Sequence, residues 1–182
     1  MTLPGPRLTY AEYRRLPDDK RHELVEGELL VTPAPSSRHQ RISMSLSIRL
    51  GSFVLEHGLG TLLAAPTDVI LSMETVLQPD LLFVARNREA IIDPHGGVQG
   101  APDLVIEILS PSNATHDQVT KRQLYSQFGV REYWLVDPEA QSVEVLTDQG
   151  TGLETWQRMV ADGILTSPTL PGLHLPVANI FG

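Results

Sequence analysis

Two acidic residues and one lysine, far apart in the chain, are best suited to do chemistry. Glu107 interrupts a nearly continuous apolar run at residues 104–109. Such a run predicts a strand buried on both faces in the centre of a mixed or parallel sheet. A carboxylate buried there without a partner would cost several kcal/mol. We therefore expect Glu107 to bind a cation or to open onto a cleft.

Asp80 is the expected partner of Glu107, because it opens a different predicted strand at residues 79–84. Adjacent strands can bring two carboxylates to one cation. Asp103 precedes Glu107 by four residues in the same strand, which is roughly 13 Å at the rise of a strand, and it is expected to cap the strand entrance. Two carboxylates, a main-chain carbonyl and waters suit Mg²⁺ or Mn²⁺. Asp80 and Glu107 are thus the predicted metal ligands.

Lys121 is predicted to lie on the helix that follows Glu107 and ends at Phe128. On a helical wheel it shares the apolar, sheet-facing arc with Leu124 and Tyr125. A lysine there either extends past its neighbours to solvent or directs its ammonium at a carboxylate cluster. In the second case it would orient or deprotonate an attacking water. The simpler alternative is an ion pair with Asp117, four residues earlier.

A long helix is predicted from Ser36 or Ser37 to about Glu56, stopped by two glycines. His39 points towards its core side, where it is either a hydrogen-bonded structural histidine or a catalytic one. An adjacent face carries arginines that would contact a nucleic-acid backbone or a second copy of the chain. These arginines are Arg38, Arg41 and Arg49.

A basic run near the N-terminus contains Arg14, Arg15, Lys20 and Arg21. Charge runs usually form a solvated surface, and we prefer that interpretation to an arm that faces phosphates.

The remaining pattern predicts an α/β core at residues 36–137 with additions at both ends. The N-terminal addition is a short helix at residues 10–16 and a hairpin at residues 22–31 that turns at Glu26-Gly27. The C-terminal addition is an antiparallel extension. Further strands are predicted at residues 61–65, 67–71, 131–136, 142–146 and 153–160, and helix caps at Ser112, Asn113 or Thr115.

The composition indicates one domain over residues 1–182, with 41% hydrophobic residues and no cysteine. No membrane span or signal peptide is recognisable, so a cytoplasmic location is expected. The net charge of −8 counts against a protein that coats nucleic acid nonspecifically. It does not exclude an enzyme that acts on nucleic acid, because a metal-dependent active site is itself built of carboxylates and a bound divalent ion reverses the local sign of the charge.

Taken together, these motifs resemble the Uma-type family of putative restriction endonucleases, within the PD-(D/E)xK nuclease superfamily. The resemblance covers nearly the whole chain. It is carried by Pro79-Asp80, Glu107 in its apolar strand, Lys121 and Tyr125 on the next helix, the Tyr133-Trp134 strand, Glu26-Gly27 and His39.

The resemblance implies a restriction-endonuclease-like fold, a mixed central sheet flanked by helices, with Asp80 and Glu107 as ligands of Mg²⁺ or Mn²⁺. It implies a metal-dependent endonuclease that cuts DNA, catalysed by Asp80, Glu107 and Lys121. His39, Glu26 and Tyr125 are supporting candidates, and a homodimer is expected because cutting two strands needs two sites.

One departure from the family pattern concerns position 109, where the superfamily motif has lysine and this chain has leucine. The resemblance implies that Lys121 supplies the ammonium from a migrated position. The missing lysine and the acidic charge also motivate a second hypothesis, a nuclease-fold protein that no longer cuts and serves as a binding or assembly module. A third is hydrolysis of another polymer by paired carboxylates, which would survive a chelator.

Overall fold

The computed structural model describes residues 7–17, 21–110 and 116–182, with the backbone alone at residues 116–118. The helices are α1 (Tyr10–Tyr13), α2 (Ser37–His57), α3 (Arg122–Gln127) and α4 (Ala178–Phe181), with a 3-10 helix at Arg86–Ile91 and a π-helix at His116–Lys121. The strands are β1 (Arg21–Val25), β2 (Glu28–Thr32), β3 (Gly60–Ala64), β4 (Val69–Ser72), β5 (Thr75–Leu77), β6 (Leu81–Ala85), β7 (Ile92–Asp93), β8 (Gly97–Gln99), β9 (Leu104–Ile108), β10 (Glu132–Asp137), β11 (Ser142–Asp148), β12 (Leu153–Val160), β13 (Ile164–Leu165) and β14 (Leu175–Pro176). None of the helices within these ranges is long and apolar enough to cross a membrane.

The strand that contains Glu107, β9, lies inside a six-stranded mixed sheet with the order β12-β11-β10-β9-β6-β3. It is parallel to β10 and antiparallel to β6, and all five of its residues are buried. The predicted doubly buried strand in a mixed sheet is therefore confirmed. The predicted antiparallel extension is confirmed as well, since β11 and β12 continue the sheet beyond β10.

A second six-stranded sheet has the order β2-β1-β5-β4-β8-β7, where the sequence had predicted a single central sheet with an N-terminal hairpin attached. The hairpin forms as predicted, with Glu26 and Gly27 at its turn. Its first strand, however, pairs with β5 through Leu24 and Val76. The three residues of β5 are too few to show a period-two pattern, which explains why the second sheet was not predicted.

Helix α2 packs one apolar face against the sheet that holds β9. Its N-cap is Ser36, whose side chain accepts a hydrogen bond from the His39 backbone N–H. It ends at Gly58, which has the positive φ of 60° that glycine adopts most readily. The residues buried on this face are Ile42, Leu46, Leu50 and Val54. Because His39 lies in the first turn, this packing places its ring beside the sheet.

The opposite face of β9 packs against the segment that carries Lys121. Val105 and Leu109 of this face share a core cluster with Leu124 and Tyr125 of α3. By strand alternation Glu107 points to the same side. The chain enters α3 through the π-helix that ends at Lys121. The predicted caps Ser112, Asn113 and Thr115 lie outside the described residues.

Candidate active site

Asp80 and Glu107 lie on adjacent strands of the same sheet. In the antiparallel pairing of β6 with β9, Leu81 is opposite Ile106, so one further residue places Asp80 opposite Glu107. The two residues are 7% and 3% exposed. Both line a cavity of about 220 Å³ that also contacts Lys121 and His39. The register of two strands thus brings together acids that are far apart in sequence.

The Glu107 carboxylate accepts hydrogen bonds from two buried donors through Oε1. The Lys121 ammonium is 3.0 Å from this atom and the Tyr125 hydroxyl is 2.9 Å from it. Burial, and then the charge of Glu107, raises the pKa of Tyr125 well above its ordinary value. Tyr125 therefore keeps its proton at neutral pH and acts as a hydrogen-bond donor to the carboxylate.

A third acid, Glu23 of β1, completes the cluster and was missed in the sequence. Its Oε1 is 2.9 Å from the Lys121 nitrogen and accepts the Gln78 backbone N–H at 2.8 Å. Lys121 is therefore held between Glu23 and Glu107. The sequence feature that could have identified Glu23 is its position between His22 and Leu24 in a predicted strand. Its burial depends on the pairing of β1 with β5, which the sequence did not reveal.

Asp80 is fixed in place by the backbone of the neighbouring strand and by α2. Its Oδ2 accepts the Ile108 backbone N–H at 2.8 Å and lies 3.1 Å from Nε2 of His39. The other ring nitrogen, Nδ1, is buried and has no hydrogen-bond partner among the described residues. An unsatisfied buried nitrogen costs about 1–3 kcal/mol. The site therefore favours a further polar group, such as a water or a substrate oxygen, beside His39.

The donor set of the cavity fits a hard divalent cation. No group of three or more His, Asp or Glu side chains within the described ranges is arranged to hold a metal ion. Two carboxylates on adjacent strands remain, and Mg²⁺ commonly binds one or two carboxylates and keeps several waters. Glu23 and Glu107 share the single ammonium of Lys121, while Asp80 contacts no lysine or arginine within the described ranges. A divalent cation would offset this buried excess of negative charge.

Glu26 does not reach the site. It occupies the hairpin turn with a φ of 49° and is exposed, whereas Glu23 in the middle of β1 contacts Lys121. The prediction of Glu26 as a supporting residue is corrected to Glu23. Asp103 is buried outside the cavity, where it accepts hydrogen bonds from Arg88 and from the Ala85 backbone N–H. This agrees with the structural role expected for it.

Two of the three arginines predicted to contact nucleic acid are engaged within the chain. Arg38 forms an ion pair with Glu139 at 2.6 Å and donates a hydrogen bond to the Pro138 carbonyl. Arg49 donates to the Asn179 carbonyl at 3.0 Å. These contacts tie α2 to neighbouring segments, so the structure gives both residues a structural role. Arg41 remains exposed. The side chain of Asp117, the alternative partner of Lys121, lies outside the described residues.

Replacing Tyr125 with phenylalanine should lower the free energy of unfolding by about 1–2 kcal/mol, because it removes a buried donor to a charged acceptor. The ring contact with Tyr133, with centroids 5.2 Å apart, would be kept. Urea denaturation of the parent and the variant measures the difference.

Tyr10→Phe is the control for this experiment. The Tyr10 hydroxyl makes a longer hydrogen bond of 3.3 Å to the Gly96 carbonyl and lies at a partly exposed position, so its removal should change stability by less. Equal stability of Tyr125→Phe and the parent would show that the contact with Glu107 contributes nothing to folding.

Comparison with family models gives one match that covers most of the chain. Residues 10–178 match the Uma2 family, described as a putative restriction endonuclease. This span includes Glu23, Asp80, Glu107 and Lys121.

Two individual proteins are similar to the chain over most of their length. An uncharacterized protein of Synechocystis is 26% identical over 140 residues, which are 75% of this chain and 78% of that protein. The crystal structure of a putative nuclease belonging to DUF820 from Anabaena variabilis superposes with a TM-score of 0.79 at 23% identity. It covers 96% of this chain and 97% of its own, which shows that the two proteins share a fold.

Proposed function

Because the chain belongs to the Uma2 family of putative restriction endonucleases, we propose that it is a divalent-metal-dependent endonuclease that hydrolyses phosphodiester bonds of DNA. The observation that carries the proposal is the meeting of the buried side chains of Asp80, Glu107 and Lys121 at one cavity. Buried ionisable groups that converge on a cavity are candidates for a functional site. The proposed cofactor is Mg²⁺ or Mn²⁺, held by Asp80 and Glu107.

The position of Lys121 supports an active enzyme despite the leucine at position 109. Its nitrogen lies 3.0 Å from Glu107, within reach of a water beside that carboxylate. Glu23 holds the same ammonium from the other side at 2.9 Å. Glu23 is therefore a positioning residue that holds the Lys121 ammonium beside Glu107, and Tyr125 holds the Glu107 carboxylate through its hydroxyl.

In the proposed reaction a water oxygen attacks the phosphorus and gives up a proton to solvent, the bond to the leaving oxygen breaks, and that oxygen takes up a proton from solvent. Lys121 orients the attacking water through an N–H donor. Asp80 is kept in position by the Ile108 backbone N–H and by His39. A divalent ion held by Asp80 and Glu107 would stabilise the negative charge that develops on the phosphate oxygens.

The second candidate is a nuclease-fold protein that has lost cleavage and acts as a binding or assembly module. The leucine at position 109 and the net charge of −8 favour it. The contact of Lys121 with Glu107 favours the enzyme. A module of this kind would neither bind magnesium in a calorimetric titration nor nick supercoiled DNA.

The homodimer follows from the proposed function, since two strands require two sites, and it is part of the proposal. The face of α2 that carries Arg41 also exposes Met44 and Ile48, which are 61% and 60% exposed. A second copy of the chain would use this face as readily as a nucleic-acid backbone would.

Chelation should abolish cleavage completely and reversibly. Because Asp80 and Glu107 would be left without the ion, EDTA treatment should stop nicking of supercoiled DNA, and excess Mg²⁺ or Mn²⁺ should restore it. The measurement is a nicking assay before chelation, after chelation and after the ion is returned.

Nicking of DNA that persists in EDTA would contradict the metal dependence of the proposal. Under the third hypothesis, hydrolysis of a different polymer by paired carboxylates, the DNA should stay intact with or without EDTA. The Glu107→Gln variant, purified in the same way, controls for a contaminating nuclease. No cleavage under any of these conditions, together with no heat of magnesium binding, would support the module.

A further inference from the structure

The cavity contains a second cation, Arg21, that the proposed reaction does not yet use. Arg21 is the first residue of β1 and lines the same cavity as Asp80, Glu107 and Lys121. It is half-buried, although the sequence favoured a solvated surface for the basic run that contains it. It also lies two residues before Glu23, so strand alternation directs both side chains to one face of β1.

The guanidinium of Arg21 is anchored by neutral groups. Its Nε lies 3.3 Å from the Gln78 side-chain oxygen, and Nη2 lies 3.3 Å from the Gln78 carbonyl. Within the described ranges Arg21 has no carboxylate at salt-bridge distance. Lys121, by contrast, contacts two carboxylates within 3.0 Å. Among the described residues, carboxylates therefore compensate the positive charge of Lys121, while the guanidinium of Arg21 contacts neutral groups.

The anchoring leaves Arg21 able to bind a further acceptor. A guanidinium carries five N–H donors in a fixed plane, and the two contacts with Gln78 occupy one edge of it. The remaining donors are suited to two oxygens of a phosphate, which a planar guanidinium binds in a bidentate manner. Gln78 also donates to Asp68 at 2.8 Å, so the anchor itself is fixed.

The acids of the cavity explain why such a cation is needed. A phosphate that approaches Asp80 and Glu107 meets negative charge, and Lys121 is already shared between Glu23 and Glu107. Without another cation the substrate anion would be repelled whenever the ion is absent. Arg21 offers this charge from β1, the strand that also carries Glu23.

We propose that Arg21 binds the phosphate of the substrate, through the guanidinium donors that Gln78 does not occupy. The assignment of that phosphate to the bond that is cut rests on the proposed function. The binding of a phosphate anion by Arg21 does not.

The direct test is calorimetric titration of the full chain with inorganic phosphate, in magnesium buffer and again in EDTA. Arg21→Gln should weaken binding by about 10- to 100-fold in both buffers, as expected for the loss of a charge-assisted hydrogen bond. Arg21→Lys keeps the charge but loses the planar pair of N–H donors, and it should bind phosphate with intermediate affinity. The control is Arg158→Gln, which removes the same charge from a side chain that is 66% exposed and paired with Glu144; its affinity should match the parent.

Steady-state cleavage separates binding from a merely structural role. Because Arg21 would hold the phosphate equally in the ground state and the transition state, Arg21→Gln should raise KM by about 10- to 100-fold and leave kcat nearly unchanged. A structural role for Arg21 would instead lower kcat or the thermal midpoint without changing phosphate affinity.

The outcomes distinguish this inference from the proposed function. If Arg21→Gln and the parent bind phosphate equally, or if neither binds it, the role of Arg21 is overturned even if DNA is cut. Phosphate binding that depends on Arg21 supports the role even if no cleavage is found, in which case the proposed function fails alone.

Discussion

Replacing Glu107 with glutamine should lower metal-dependent cleavage by at least about 10³-fold, as expected when a group that supports the charge of the transition state is lost. The amide keeps the size of the side chain and can still accept the Tyr125 hydroxyl at 2.9 Å and the Lys121 ammonium at 3.0 Å. It loses the negative charge that would hold a divalent ion next to Asp80. Calorimetric titration should therefore show the loss of magnesium binding in parallel with the loss of cleavage.

Glu144→Gln is the matched control for this substitution. Glu144 lies on β11 of the same sheet, and its side chain is 20% exposed and paired with Arg158 at 3.2 Å. Glu144→Gln changes the net charge by the same amount as Glu107→Gln, but Glu144 lies outside the cavity. The Glu107→Ala variant provides a harsher second test. If both Glu107 variants cleave DNA at the rate of the parent, Glu107 is not part of the active site and does not hold a metal there.

Much of the fold followed from local patterns in the sequence. The apolar run around Glu107 became β9, and Ser36 and Gly58 mark the ends of α2 as their chemistry predicts. The Glu26-Gly27 turn set the register of the first hairpin. In each case the signal lies within one element, where periodicity, caps and turn residues act over a few positions.

The parts that were missed depend on contacts between distant segments. The burial of Glu23 and Arg21 follows from the pairing of β1 with β5, which joins residues about fifty positions apart through a three-residue strand. Glu26 is a candidate in the sequence because it matches a position in the pattern of the family that the chain resembles. A glutamate inside a strand gives no sign of which face will be buried until its partner strand is known.

The site was predicted best where two independent patterns agreed. Asp80 and Glu107 were paired because each begins or interrupts a strand, and the sheet places those strands side by side. The wheel placed Lys121 on the packed side of its helix, and its nitrogen lies in the cavity with both acids. The chemical role of each residue remains a prediction that the substitutions must test.

Replacing Lys121 with methionine should abolish cleavage and also lower the free energy of unfolding by about 3–5 kcal/mol in EDTA, the usual cost of removing one partner from a buried ion pair. The Lys121 side chain is 6% exposed and contacts Glu23 and Glu107, whose side chains are 5% and 4% exposed. Methionine fills the same space but leaves both carboxylates without this cation. Urea denaturation at neutral pH measures the loss. As a control, Arg158→Met removes a cation from an exposed pair and should cost under about 1 kcal/mol.

A double substitution separates the structural role of Lys121 from its catalytic role. The double variant Glu23→Gln, Lys121→Met neutralises one of the two carboxylates that lose their cation. Its loss of unfolding free energy should therefore be smaller than the sum of the losses of the two single variants by about 1–3 kcal/mol. Cleavage should nevertheless remain absent, because no ammonium is left to orient the water beside Glu107. If stability and cleavage return together, Lys121 acts through folding alone, and the catalytic role passes to another donor in the cavity. If stability returns without cleavage, the ammonium itself is required for the reaction.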